Sequence, residues 1–171
     1  MSSNFTTNNN HLLDDNMTIE IKETPVPDML LLVQEMSKAH WDEVPFGNYK
    51  LELNLDVEQY IKLYELGYCK TVGAYDGDVL VGYVVVLAAT MMQHQGVYQL
   101  STDSFYVHPK YRALGVFAEM IEAVQTLCRD NNLPFMSFGV NPMFAGSDGV
   151  EEFLQSQGFS KTEVVWTRKV E

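Results

Sequence analysis

Two cations and a glycine mark the one turn in this chain suited to a phosphate. Lys110 and Arg112 are the only basic side chains between Lys70 and Arg129. They stand where a β-type run, Phe105-Tyr-Val-His108, breaks at Pro109 and a helical run begins. A helix start presents N–H groups that have no carbonyl partner in their own helix, together with the positive end of the helix dipole. Gly115 lets backbone approach a ligand closely. Exposed N–H groups of Ala113, Leu114, Gly115, Val116 and Phe117 can then donate to a phosphate, with Lys110 and Arg112 adding local positive charge. The plain alternative is that Arg112 and Gly115 merely begin a helix.

Other reactive side chains are sparse. Asp103 is the only carboxylate between Asp78 and Glu119, and it lies on the run leading to the turn. His108, beside Pro109, has the side chain that titrates near neutrality, though a His in such a turn commonly serves structure. His94 has no second His, Cys or carboxylate at ligand spacing, so no metal site is expected. Cys69 and Cys128 likewise lack metal or redox spacing and, with no signal peptide, read as reduced thiols of a cytoplasmic protein. Cys128 falls on an apolar helix face and Cys69 lacks a partner, which disfavours thiol-based transfer.

Composition bounds the rest. The net charge of -12 argues against a nucleic-acid-binding face, which needs a basic stripe. It suits a cationic or amine partner. No apolar run approaches the roughly 20 residues that span a bilayer. At 171 residues one domain with its own core is expected.

The elements that must position the turn follow in order. Residues 1–16 are rich in Asn, Ser and Thr and too poor in apolar residues to fold alone, so they read as a flexible arm preceding a single domain over 17–171. Alternation over 17–24 predicts a strand, and Pro27 opens a helix running to about His40, with Leu30, Val33 and Met36 on one face. Trp41 to Asn54 reads as a loop able to cover something. Asp56 caps a second helix that stops at Gly67, with Gln59 at the capping-box offset and Val57, Tyr60, Ile61 and Tyr64 on one face. Lys70–Tyr75 and Val79–Leu87 around Asp76-Gly-Asp78 form a hairpin whose second strand is apolar enough to be central. A turn at Gln93–Gly96 leads to a strand over 97–107, and from Arg112 a helical apolar face runs to Asn131. A buried strand over 134–140, a loop over 141–149, a short helix to Gly158 and a last strand over 161–170 complete the chain. The order describes an α+β plan with one parallel crossover.

Arg112-x-x-Gly115 at a strand-to-helix turn resembles the pyrophosphate-binding signature of the GNAT superfamily, acyltransferases that use an acyl-coenzyme A donor. Val107-His-Pro-Lys-Tyr-Arg112 is similar to the family's approach to that signature. Asp76–Tyr83 resembles its second and third strands, and Phe153–Phe159 its helix followed by Gly-Phe. In element order the resemblance covers about residues 17–170. It implies a GNAT-like acyl-CoA N-acyltransferase fold, a mixed central sheet flanked by helices, with acetyl-CoA as co-substrate. It also implies direct transfer of acetyl to an amine acceptor, either a small molecule or a protein. On that footing backbone donors at Phe105, Tyr106 or Val107 hold the thioester oxygen. Asp103 is the candidate base, water, Tyr106 or Tyr111 the candidate proton donor, and Asn141 a contact for pantetheine or acceptor, or else a turn asparagine. Phe117 occupies the place of the signature's second small residue, and Leu154 the place where many members carry a catalytic Tyr. A GNAT-shaped protein without catalysis, acting as a binding or structural component of a larger assembly, is the other reading. The arm over residues 1–16 would then be the contact, or would make a homodimer.

Overall fold

The structure is a computed structural model that describes residues 18–44, 51–142, 144 and 146–170. The proposed arm over residues 1–16 lies outside the described residues. A five-stranded sheet runs β1 (Ile19–Thr24), β2 (Cys69–Asp76), β3 (Val79–Thr90), β4 (Tyr98–Val107) and β5 (Phe135–Ser137), in that spatial order. The first four strands form an antiparallel meander, and β5 joins parallel to β4. Helices α1 (Val26–Leu32), α2 (Gln34–Glu43) and α3 (Val57–Glu65) precede β2, α4 (Val116–Asp130) supplies the crossover from β4 to β5, and α5 (Ser147–Ser156) follows.

The almost wholly apolar character of β3 follows from cover on both faces of its central part. Successive side chains of a strand point to opposite sides. Val84 and Val86 join Val116, Met120 and Val124 of α4 in one core, while Tyr83 and Val85 join Val26, Met29 and Val33 in the other. The β2–β3 turn is made by Gly77 at φ 60. In α3 the Asp56 side chain accepts from the Gln59 N–H at 3.0 Å, as the capping spacing requires.

Several expectations need correction. The first helix is two: Val33 carries a turn between α1 and α2, and the second continues through Trp41 to Glu43. In α3, Val57 and Tyr64 are exposed, and the side chains that pack are Tyr60 and Leu63. The helix expected from Arg112 is a six-residue 3-10 turn, Pro109–Leu114, followed by Gly115 and then α4. Pro109 starts the tighter turn, and the left-handed Gly115, at φ 77, re-aims the chain. The strand expected over 134–140 forms only over Phe135–Ser137 and is half-buried, because it is an edge strand with one neighbour. Residues 161–170 form no strand and are exposed, Trp166 at 91%. Alternation proposes a strand, but a ladder needs a partner edge, and β5 offers three residues.

Candidate functional site

β4 and β5 part company early. Their ladder covers only Gln99–Ser101 against Phe135–Ser137. Beyond it Thr102–Val107 and Gly139–Asn141 line opposite sides of one cavity of about 1000 Å³ that reaches Gly115, Phe117 and Ala118 at the start of α4. The fork is held at its base by the Gly139 N–H, which donates to Thr102 Oγ1 at 2.9 Å. Helix α2, residues 53 and 55, and Tyr60 of α3 close the far side.

The turn at the cavity's edge is well anchored. The Tyr111 hydroxyl donates to Asp76 Oδ2 at 2.9 Å, and the His108 Nδ1 accepts from the Lys110 N–H at 3.3 Å, so His108 caps the turn. The first α-type bond of α4 runs from the Glu119 N–H to the Gly115 carbonyl. The N–H groups of Val116, Phe117 and Ala118 lie ahead of it, where a helix has no carbonyls to offer. Ala113, Leu114 and Gly115 belong to the 3-10 turn and its end. Lys110 is exposed, its Nζ 5.1 Å from the Tyr111 ring.

Arg112 points across the cavity. Its Nε donates to the Val107 carbonyl at 2.8 Å and its Nη2 to Glu43 Oε2 at 2.6 Å. The guanidinium also lies 5.3 Å from the Tyr106 ring centre and 5.5 Å from that of Phe144. Glu43 Oε1 accepts from the Tyr106 hydroxyl at 2.7 Å. Burial alone would raise the Glu43 carboxyl, but the bonds from Tyr106 and Arg112 outweigh it and hold it below the ordinary range. Burial first, and then the bond to Glu43, push the Tyr106 phenol up to about 12.

Beside this clamp sits His40. Its Nδ1 is 2.8 Å from the Tyr83 hydroxyl and its ring stacks on Tyr106 with centres 4.9 Å apart. Burial lowers its pKa; Glu43 opposes that and Arg112 adds to it. Asp103 Oδ2 accepts from the Tyr60 hydroxyl at 2.6 Å, and burial, reinforced by that bond, pushes the Tyr60 phenol well up.

Phe117 turns its ring into an aromatic wall. It stacks on Phe105 at 5.1 Å and meets Phe138 at 6.1 Å and Phe153 at 5.5 Å. Leu154 is buried, and Phe153 is its neighbour that faces the cavity. Asn141 lines the cavity. Burial raises both thiols, that of Cys69 to about 11, so both are inert near neutrality. Among the described residues no group of three or more His, Cys, Asp or Glu could hold a metal ion, and no helix is long and apolar enough to cross a membrane.

Asp103, Tyr106, Arg112, Gly115, Phe117 and Asn141 thus line one cavity, with Phe105 and Val107 in its β4 wall, whereas Lys110, Ala113, Leu114 and Val116 are not among the lining residues. Sequence reasoning missed His40, Glu43, Tyr60 and Tyr83. A signal existed for the first two: spaced i, i+3, they share a helix face, but ending the helix near His40 left Glu43 in a loop. Tyr83 was hidden inside an apolar strand.

The sequence profile of the acetyltransferase (GNAT) family matches residues 33–159. No curated protein sequence gives a significant match. Among solved structures, an aminoglycoside acetyltransferase from an uncultured soil metagenomic sample, in complex with sisomicin, superposes with a TM-score of 0.67 at 13% identity, covering 90% of this chain and 97% of that one. The aminoglycoside N-acetyltransferase AAC(6')-Iy in complex with CoA gives 0.65 at 18% identity, covering 92% and 99%. A ribosomal-protein-alanine N-acetyltransferase from Brucella melitensis biovar Abortus 2308 gives 0.64 at 15% identity, covering 89% and 99%. At these identities the likeness is one of fold.

Proposed function

The chain belongs to the GNAT acetyltransferase family, and from that premise we propose that it binds acetyl-CoA in the fork between β4 and β5 and transfers the acetyl group directly to an amine. The observation that carries this reading is the early parting of the two strands at Ser101 and Ser137, which opens the cavity onto the first turn of α4. The fork leaves room for an extended, hydrogen-bonding arm such as pantetheine between the two strands. The Val116–Ala118 N–H groups suit a diphosphate, and the region around Gly115 is open, since a Cβ built there meets nothing within 4 Å. Lys110 adds positive charge at the turn in a protein of net charge -12, while the charge of the clamped Arg112 is offset by Glu43.

In this scheme the donor supplies an activated acyl carbon, and this chain's residues orient it. Backbone of Phe105–Val107 meets the thioester oxygen, Asn141 contacts the pantetheine or the acceptor, and Asp103 draws the cationic amine inward. Proximity and orientation can supply about 7–11 kcal/mol of the barrier, so a Leu at position 154 is compatible with turnover. The acceptor is a small molecule or a protein amino group, and the solved relatives of similar fold act on examples of both, as their names state.

The test is calorimetric titration with acetyl-CoA, followed by free-thiol release with sisomicin, spermidine and an alanine-initiated peptide. Binding plus acceptor-dependent release supports transfer. Binding with release no faster than hydrolysis of the donor alone would make the protein a binding component.

A further inference from the structure

We propose that His40 is the group that takes the proton from the acceptor amine, with its Nδ1–H held by Tyr83 and its Nε2 lone pair turned to the cavity. The inference rests on the acetyl-transfer reading and adds the residue that makes the amine nucleophilic. An amine reaches neutral solution as an ammonium ion, which has no lone pair to attack with. A base is needed in the same cavity, with an affinity for protons matched to the operating pH.

His40 meets the geometric condition. It lines the cavity from α2, and two partners hold its ring, one of them fixed in turn by Glu43. The Tyr83 hydroxyl holds Nδ1 at 2.8 Å, Tyr106 stacks on one face at 4.9 Å, and Glu43 fixes Tyr106 through the 2.7 Å bond. Among the described residues no hydrogen bond is made by Nε2. The charged and titratable groups that line the cavity with it are Glu43 on its own helix, Arg112 from the turn, Tyr60 of α3, Tyr83 of β3, and Tyr106 and Asp103 of β4. Burial dominates these influences and keeps the imidazole neutral at neutral pH, so it is available to accept a proton. The carboxylates are less suited: Glu43 is bound by two donors, and Asp103 by Tyr60.

The ammonium gives one proton to His40 Nε2, leaving a neutral amine and an imidazolium. The amine lone pair forms the C–N bond at the thioester carbon, and the C–S bond breaks with its electrons on sulfur. The thiolate takes the surplus proton from the new amide nitrogen, and the imidazolium returns its proton to water. Asp103, close to the same wall, attracts the incoming cation without taking its proton.

His40→Gln preserves a hydrogen-bonding side chain and is the first variant. With the acceptor that turns over fastest among sisomicin, spermidine and the alanine-initiated peptide, kcat should fall about 100-fold near pH 7. The KM and the calorimetric Kd for acetyl-CoA should stay within about twofold. The loss should shrink as pH rises toward the amine's own pKa, because more of the acceptor then arrives deprotonated. Nitrogen-15 NMR of the wild-type imidazole should show Nδ1 protonated, Nε2 bare and a pKa below 6.5. Tyr83→Phe should release that tautomer preference and lower kcat less than His40→Gln does. An unchanged pH profile and kcat in His40→Gln, or an Nε2–H tautomer retained in the acetyl-CoA complex, would overturn the assignment while leaving the transfer reading intact. Donor binding without turnover on any acceptor would overturn both.

Discussion

Glu43 Oε2 lies 2.6 Å from Arg112 Nη2 while its Oε1 accepts from Tyr106 at 2.7 Å, so one carboxylate ties α2 to the turn before α4 and to β4. The ion pair is about one-third exposed on each side, at 36% and 30%. Solvent screening therefore limits its worth to about 1 kcal/mol. Arg112→Ala and Glu43→Gln should each lower the urea unfolding free energy by about that much, and the double variant by clearly less than the sum. Additive losses would show that the two side chains do not act as a pair.

Gly115 is a second point where one atom matters. Its φ of 77 is left-handed, and a Cβ there meets nothing within 4 Å. Gly115→Ala should therefore cost only the backbone term, about 1–2 kcal/mol. Any relaxation toward ordinary φ also re-aims the Val116–Ala118 N–H groups, so acetyl-CoA affinity should fall as well. Loss of stability with affinity retained would separate the turn from donor binding.

The Phe117 ring is part of the wall formed with Phe105, Phe138 and Phe153. Phe117→Ala should lose about 2–3 kcal/mol in denaturant unfolding, below the 3–5 of a fully buried Phe because the residue is only partly buried. Since the ring packs against aromatic neighbours, its removal should not tighten acetyl-CoA binding. A tighter complex would mean that the ring obstructs the donor.

The pH dependence of stability has a definite sign. The folded pKa of His40 lies below the ordinary 6.5, so the unfolded chain binds the extra proton first. Stability from this group is complete above 6.5 and is lost as pH falls toward the lower folded value. Glu43, also depressed, adds a second loss below its ordinary 4.5. Urea midpoints at pH 8, 7, 6 and 5 should decline from 7 to 5 in the wild type and less in His40→Gln. Parallel declines in both proteins would remove His40 as the source.

The meander, the crossover and the turn were legible in the sequence because each has a local cause. The Asp76-Gly-Asp78 turn sits between β-type runs, Asp56 stands at capping distance from Gln59, and Pro109 separates strand from helix. What could not be read depends on partners distant in the chain. Residues 161–170 alternate as a strand does, yet no neighbouring ladder exists for them among the described residues. Arg112 looked outward to an anion, but a carboxylate from a helix 69 residues earlier draws its guanidinium across the cavity. Local chemistry located the turn; only tertiary packing brought His40, Glu43, Tyr60 and Tyr83 to it.

Proton–nitrogen NMR of the labelled protein tests coenzyme A binding in the fork most directly. On titration with coenzyme A the largest amide shifts should fall at Val116–Ala118 and at Gly139–Asn141, on the two sides of the opening beyond Ser101 and Ser137. Absence of binding, or saturable shifts confined to surfaces away from β4, β5 and the start of α4, would contradict the account.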